Sequence, residues 1–291
     1  MSGSTLTEMD TQQSPIETAL TDHHESDHRD APGSGSMPLH IYTLGRFSLV
    51  RDGAMLRYRR KSPSKPLALL KVLIACGGRQ VGAASIAAIL WPDKDGDLAQ
   101  QSFEITLHRL RKYLGDDGFL LLEDGRLTLN SAKSWVDVWE FERHLSDLRR
   151  LMATPGTDDT GRFEVLTNRL LLMYQGHFLS LDDKTCWMVS MQERLRNKFI
   201  HGLIDLGSYW MSQGQPHKAI ECYRKGIEVD DLVETFYQRL MQCLLETGRE
   251  SEAIATYRQC RHVLSVVLGM EPDTHTTKVY HSLLARHAKR A

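Results

Sequence analysis

The strongest constraint on how this chain folds is a repeat near its C-terminus. Gly214, Ala219, Ile220, Tyr223 and Arg224 recur in the same order as Gly248, Ala253, Ile254, Tyr257 and Arg258, every pair 34 residues apart. Five identities in one register mark a structural unit used at least twice. The apolar positions of the unit share one face of a 3.6-residue period, which makes it helical. Gly and Pro are confined to joints such as Gln213-Gly214-Gln215-Pro216 and Glu246-Thr247-Gly248. One helix pair cannot bury its own apolar face, so units of this kind stack.

A helical period of this length is that of tetratricopeptide repeats, and Leu203, Leu206, Gly207, Trp210, Ala219 and Tyr223 follow the order of their signature. The small residues Ala219 and Ala253 let paired helices approach, and Tyr223 and Tyr257 fill the space beyond them. From Trp135 onward the pattern is almost entirely helical, so helices from about 137 to 200 are expected to extend or cap the array. The concave side of such arrays binds another protein or a neighbouring domain.

Upstream the pattern changes. Leu39 and Ile41 alternate, Phe47 and Leu49 follow, and Asp52-Gly53 signals a hairpin before Met55-Leu56, which predicts a small antiparallel sheet. A helix is expected from about Pro66 to Gly77-Gly78, with Ser64 as its cap. A shorter one, Ala83 to Leu90, ends at Trp91-Pro92, because proline forbids its continuation. The third, Leu98 to Leu114, carries an apolar stripe at Ala99, Phe103, Leu107, Leu110 and Leu114 and stops at Gly115. Phe119 to Leu122, the turn Glu123-Asp124-Gly125-Arg126 and Leu127 to Leu129 spell a terminal hairpin. The fold class expected is therefore an α+β winged helix-turn-helix domain followed by an all-α tetratricopeptide-like helical array. In a winged helix the third helix lies in the DNA major groove.

Charge supports that placement. Residues 1–36 carry one arginine against seven acidic residues, residues 37–133 carry 15 Lys and Arg against nine Asp and Glu, and the rest carry 20 against 21. A basic middle region suits a polyanion. Gln100, Gln101, Glu104, His108 and Arg111 are the candidates for reading base edges, since Gln suits adenine, Arg suits guanine and Glu accepts from cytosine. Arg57, Arg59, Arg60, Lys61, Lys65, Lys112 and the wing residue Arg126 are the candidates for phosphate contacts. The chain divides into an acidic tail with a Gly/Ser linker (1–36, expected to be disordered), a winged-helix domain (37–133) and the helical domain (134–291).

Other classes of function find little support. Cys76, Cys186, Cys222, Cys243 and Cys260 are odd in number and show no C-x-x-C, which points to reduced thiols rather than disulfides or zinc. There is no G-x-x-x-x-G-K-[ST] loop, no paired carboxylates and no nucleophile motif. The expectation is a protein with no catalytic residues, metal or cofactor. No apolar run approaches the length of a membrane span, and no secretory signal pattern opens the chain, so a cytoplasmic protein without membrane contact is expected.

The order of parts resembles a known family, the antibiotic-regulatory SARP class of bacterial activators. The carrying residues are Leu44-Gly45-Arg46-Phe47, Leu90-Trp91-Pro92, Leu110-Arg111-Lys112-Tyr113-Leu114-Gly115, Asp137-Val138-Trp139-Glu140-Phe141, Tyr174-Gln175-Gly176-His177-Phe178-Leu179, Trp187 and Leu268-Gly269-Met270-Glu271-Pro272. The resemblance covers about 39 to 288. It implies a response-regulator-type winged helix joined to a bacterial transcriptional activator domain. The function implied is sequence-specific binding of double-stranded promoter DNA, contact with RNA polymerase, and dimers on repeated half-sites. Gly82-Ala83-Ala84 departs from the family's Ser or Thr cap, which weakens that helix start. Glu104 and Ile105 stand in the reading face and imply a different target sequence. The alternatives are a repressor and a protein-interaction scaffold built on the repeat array.

Overall fold

The computed structural model describes residues 37–56, 64–115, 118–153, 160–182 and 185–290. The tail and linker expected over 1–36 lie outside these residues, as do the cations Arg57, Arg59, Arg60 and Lys61.

Strands β1 (Leu39–Tyr42) and β2 (Ser48–Arg51) pair antiparallel, and β2 turns through Asp52 and Gly53 into β3 (Ala54–Met55). Both turn residues have positive φ, 50° and 78°, the type I′ geometry that matches strand twist. Leu39 and Ile41 point into the core and are fully buried. The sheet is not purely antiparallel, as alternation alone predicts. Its order is β3-β2-β1-β7, and β7 (Ser134–Val136) lies parallel to β1. Parallel neighbours need a crossover connection, and here the rest of the winged helix supplies it.

That crossover contains α1 (Ser64–Ala75), β4 (Val81–Gly82), α2 (Ala83–Leu90), α3 (Gly96–Leu114), β5 (Leu120–Glu123) and β6 (Arg126–Leu129). The wing is a three-stranded sheet of order β4-β6-β5 rather than a bare hairpin. Its turn, Asp124-Gly125, again has two positive φ values. Helix α2 lacks a side-chain cap at Gly82, as its sequence implies, yet the Ala83 N–H donates to the Gly125 carbonyl at 2.8 Å. The wing thus satisfies a helix-start donor that a Ser or Thr would otherwise take.

The remaining chain is helical: α4 (Asp137–Ala153), α5 (Thr160–Met173), α6 (Cys186–Ser212), α7 (Pro216–Val229), α8 (Glu234–Glu246), α9 (Glu250–Leu268) and α10 (Thr274–Arg290). Helices α7 and α9 start 34 residues apart, in register with the repeat. Ala219 and Ala253 are fully buried where the helices pack. A Cβ on Gly207 would meet the Tyr223 ring at 2.3 Å, so only glycine lets α6 accept that tyrosine. In the next unit Tyr257 stacks on Tyr280 with centroids 3.9 Å apart.

Residues 38–291 form one compact unit, and the apolar core runs unbroken from the first sheet into the array. The junction is polar at its centre. The Asp137 carboxylate, fully buried, accepts from the Thr43 N–H at 2.5 Å, the Thr43 hydroxyl at 2.6 Å, and the Leu44 and Val138 N–H groups at 2.7 Å. Beside it, Gly45 donates to the His177 carbonyl at 3.0 Å and Leu179 donates to the Thr43 carbonyl at 2.8 Å. Gly45 has φ +97°, and a Cβ on Gly176 would stand 3.2 Å from the Gly45 Cα. Lys71 of α1 pairs with Asp182, closing the seam. The segments Leu44–Phe47 and Tyr174–Leu179, 130 residues apart in the chain, are therefore two sides of one contact.

Candidate nucleic-acid interface

Helix α3 is anchored by the stripe its sequence predicts: Ala99, Phe103, Leu107, Leu110 and Leu114 are buried, with Thr106 between them. Its C-terminus is closed from two directions. Gly115 takes the left-handed conformation at φ +95° and donates to the Arg111 carbonyl at 2.9 Å. Arg51 of β2 donates through Nη1 to the Leu114 carbonyl at 2.5 Å, and a Cβ on Gly115 would overlap that guanidinium. Glycine is needed there for the backbone angle and for the arginine. A cation at this end also suits the helix dipole.

The opposite face of α3 is open to solvent. Gln101, Glu104, Ile105, His108, Arg109 and Lys112 are exposed there, Ile105 by 47 %. Acidic Asp97 and Glu104 occupy its N-terminal half and the cations its C-terminal half. The Gln100 amide donates to Glu104 Oε1 at 3.1 Å, so these two groups present one fixed donor–acceptor array. Gln101 and His108 project from the same row without such a tie.

Arg111 is placed differently. It is half-buried, and its Nη2 donates to the Leu120 carbonyl at 3.0 Å, fastening α3 to the base of the wing. Arg109, absent from the sequence candidates, is exposed on the row that runs from Gln101 through Ile105. Extending the i, i+4, i+8 spacing from Gln101 would have found it. We expect Arg111→Ala to cost about 1–2 kcal/mol of stability through the lost charged-donor bond. A denaturant melt checks this, and an unchanged midpoint would return Arg111 to the list of base readers.

The described phosphate candidates also differ among themselves. Lys112 is exposed beside His108. Arg126, on the wing, donates to the Gln80 carbonyl at 3.2 Å while remaining exposed. Lys65 donates to the Leu90 carbonyl at 3.0 Å and lies over the Trp91 ring, where it closes the end of α2. A phosphate contact from Lys65 competes with that bond.

Little else among the described residues suggests chemistry. Cys222, Cys243 and Cys260 are buried, and burial pushes their thiols up to about 12, about 11 and about 12, which leaves no thiolate near neutrality. Among the described residues no group of three or more His, Cys, Asp or Glu is placed to hold a metal, and no helix is long and apolar enough to cross a membrane.

With this geometry in view, comparison with known proteins is informative. A family model described as the bacterial transcriptional activator domain matches residues 136–284, more than half of the chain. The chain belongs to that family. By that match and by its relatives it is of the SARP type. Regulatory protein AfsR of Streptomyces griseus is 23 % identical over 223 residues, which is 75 % of this chain and 22 % of AfsR. AfsR of Streptomyces coelicolor is 26 % identical over 238 residues, 80 % of this chain and 23 % of that protein. This SARP-type chain thus spans less than a quarter of the length of these curated relatives. Mycobacterium tuberculosis EmbR, solved in complex with a low affinity phosphopeptide, shares the fold with a TM-score of 0.63 at 20 % identity, over 86 % of this chain and 66 % of EmbR. Its likeness supports the winged helix followed by an all-α domain.

Proposed function

We propose that this SARP-type chain binds promoter DNA sequence-specifically and activates transcription in the cytoplasm. The winged helix, residues 37–133, reads the DNA, and the helical domain, residues 134–291, engages RNA polymerase or a regulatory partner. Two copies would occupy repeated half-sites. The observation that carries this reading is the exposed polar row of α3, held rigidly by a buried stripe and flanked by the wing. In a helix-turn-helix the N-terminal part of the recognition helix meets base edges. Gln100, Gln101 and Glu104 occupy that part and His108 follows on the same face, while Arg109 and Lys112 lie toward the backbone.

Selection of bound fragments from genomic DNA, followed by footprinting, tests the proposal and supplies the half-site spacing. Recovery of no enriched sequence at low salt would reject it and leave an interaction scaffold. A promoter-reporter assay then separates activator from repressor. Phosphate contacts have their own signature. Changing Lys112 and Arg126 together to alanine should reduce the slope of log affinity against log salt by about 2, since each phosphate contact contributes about 0.9. An unchanged slope would remove both residues from the interface.

A further inference from the structure

Between α4 and α5 lies an open groove of about 360 Å³. Arg143, His144 and Asp147 line it from α4, and Arg162, Val165 and Arg169 from α5. Arg162 and Arg169 are seven positions apart, two turns along one helix face. Neither forms an ion pair or hydrogen bond among the described residues. The acidic wall is already neutralised, because Asp147 pairs with Arg150 at 2.9 Å. Arg143 is held by Glu140.

His144 also lines the groove. Its side chain is 4 % exposed, and its Nδ1, shielded from solvent, stands 3.4 Å from the Glu140 carboxylate. Burial lowers its pKa, Arg143 and Arg169 push the same way, and Glu140 opposes them. A neutral imidazole keeps one donor and one acceptor.

Unpaired arginines on a helix surface are ordinary. Two of them, two turns apart on one wall of a groove that Arg143 also lines, describe a site for an anion with hydrogen-bonding oxygens. We propose that this groove binds a small phosphomonoester. The two guanidinium groups match the charge of a phosphate dianion and offer forked donors to its oxygens. Val165 and Leu166 give an apolar wall for the carbon skeleton. The volume is within the range of about 300–1,000 Å³ typical of small-ligand sites, whereas a nucleic-acid backbone or an acidic protein face would meet an extended surface. The site stands apart from the winged helix and does not depend on DNA reading.

The test uses the full chain, with inorganic phosphate and glucose 6-phosphate as probes, and glucose plus chloride at matched ionic strength as control. Calorimetric titration should show saturable binding of the phosphate compounds and none of the control. The R162Q/R169Q variant should weaken that binding at least about tenfold, with its ligand-free melting midpoint unchanged; R162Q alone, at an exposed position, should weaken it less. Absence of saturable binding by both probes overturns the proposal. So does equal affinity in the parent and the double variant. Loss of promoter-duplex affinity in R162Q/R169Q with phosphate binding intact would likewise overturn it and assign the arginines to DNA.

Discussion

Replacing Asp137 by alanine is expected to lower the unfolding free energy by about 3 kcal/mol, read as a fall in melting midpoint of about 10 °C for a chain of this size. The carboxylate accepts four hydrogen bonds in a buried place, and three of the donors are backbone N–H groups. Truncation leaves those donors buried and unpaired, at roughly 1–3 kcal/mol each, partly offset by relief of the carboxylate's own desolvation. Burial already pushes this carboxyl above its ordinary range, against the downward pull of its donors. Asparagine should fare little better, because its NH₂ group would face the donors that now meet one of the oxygens. Thermal and denaturant melts check this; a loss below about 1 kcal/mol would mean that water reaches the vacated donors.

The second large effect concerns binding. Changing Gln101, His108 and Lys112 together to alanine is expected to weaken binding to the selected promoter site by about 100- to 1,000-fold, the sum of two base-edge contacts and one phosphate contact. All three side chains are exposed, so the melting midpoint should stay where it was. Titration of duplex DNA at fixed salt provides the measurement. Affinity within about threefold of the parent chain, at a salt level where phosphate contacts count, would take α3 out of the groove.

Much of the architecture was legible because local signals agreed. Pro92 ended α2 and Gly115 ended α3. The apolar stripe of α3 matched its buried face, and the 34-residue register matched the spacing of α7 and α9. The short strands were not legible. β4 has two residues and β7 three, too few to show a period of two, and their partners lie far along the chain. Their pairing is decided by tertiary packing, not by propensity. For the same reason Asp137 looked like one letter of a family motif, although it is the buried acceptor at the seam.

At the interface, helical periodicity separated the exposed row from the buried stripe. It did not show which long side chains turn aside. Arg111 and Lys65 carry the charge expected of DNA contacts, yet each is bonded to a neighbouring carbonyl, at Leu120 and Leu90. Those bonds depend on where the wing and α2 come to rest, which spacing along one helix does not encode. Arg109 was passed over beside the basic pair Arg111-Lys112, although it is the more accessible of the two arginines.

The parallel pairing of β1 with β7 has a consequence for how such a protein changes over time. Both ends of the stretch from β2 through β6 return to one pair of adjacent strands, and the Lys71–Asp182 pair ties the same stretch to the helical domain, so it is a closed loop on a fixed seat. If α3 reads DNA as proposed, substitutions on its outer helix face can redirect which bases are read without touching Asp137, Gly45 or Gly176. On that proposal the molecule is a cassette on a fixed mount, in which operator preference drifts while the orientation of the helical array relative to the duplex is inherited unchanged.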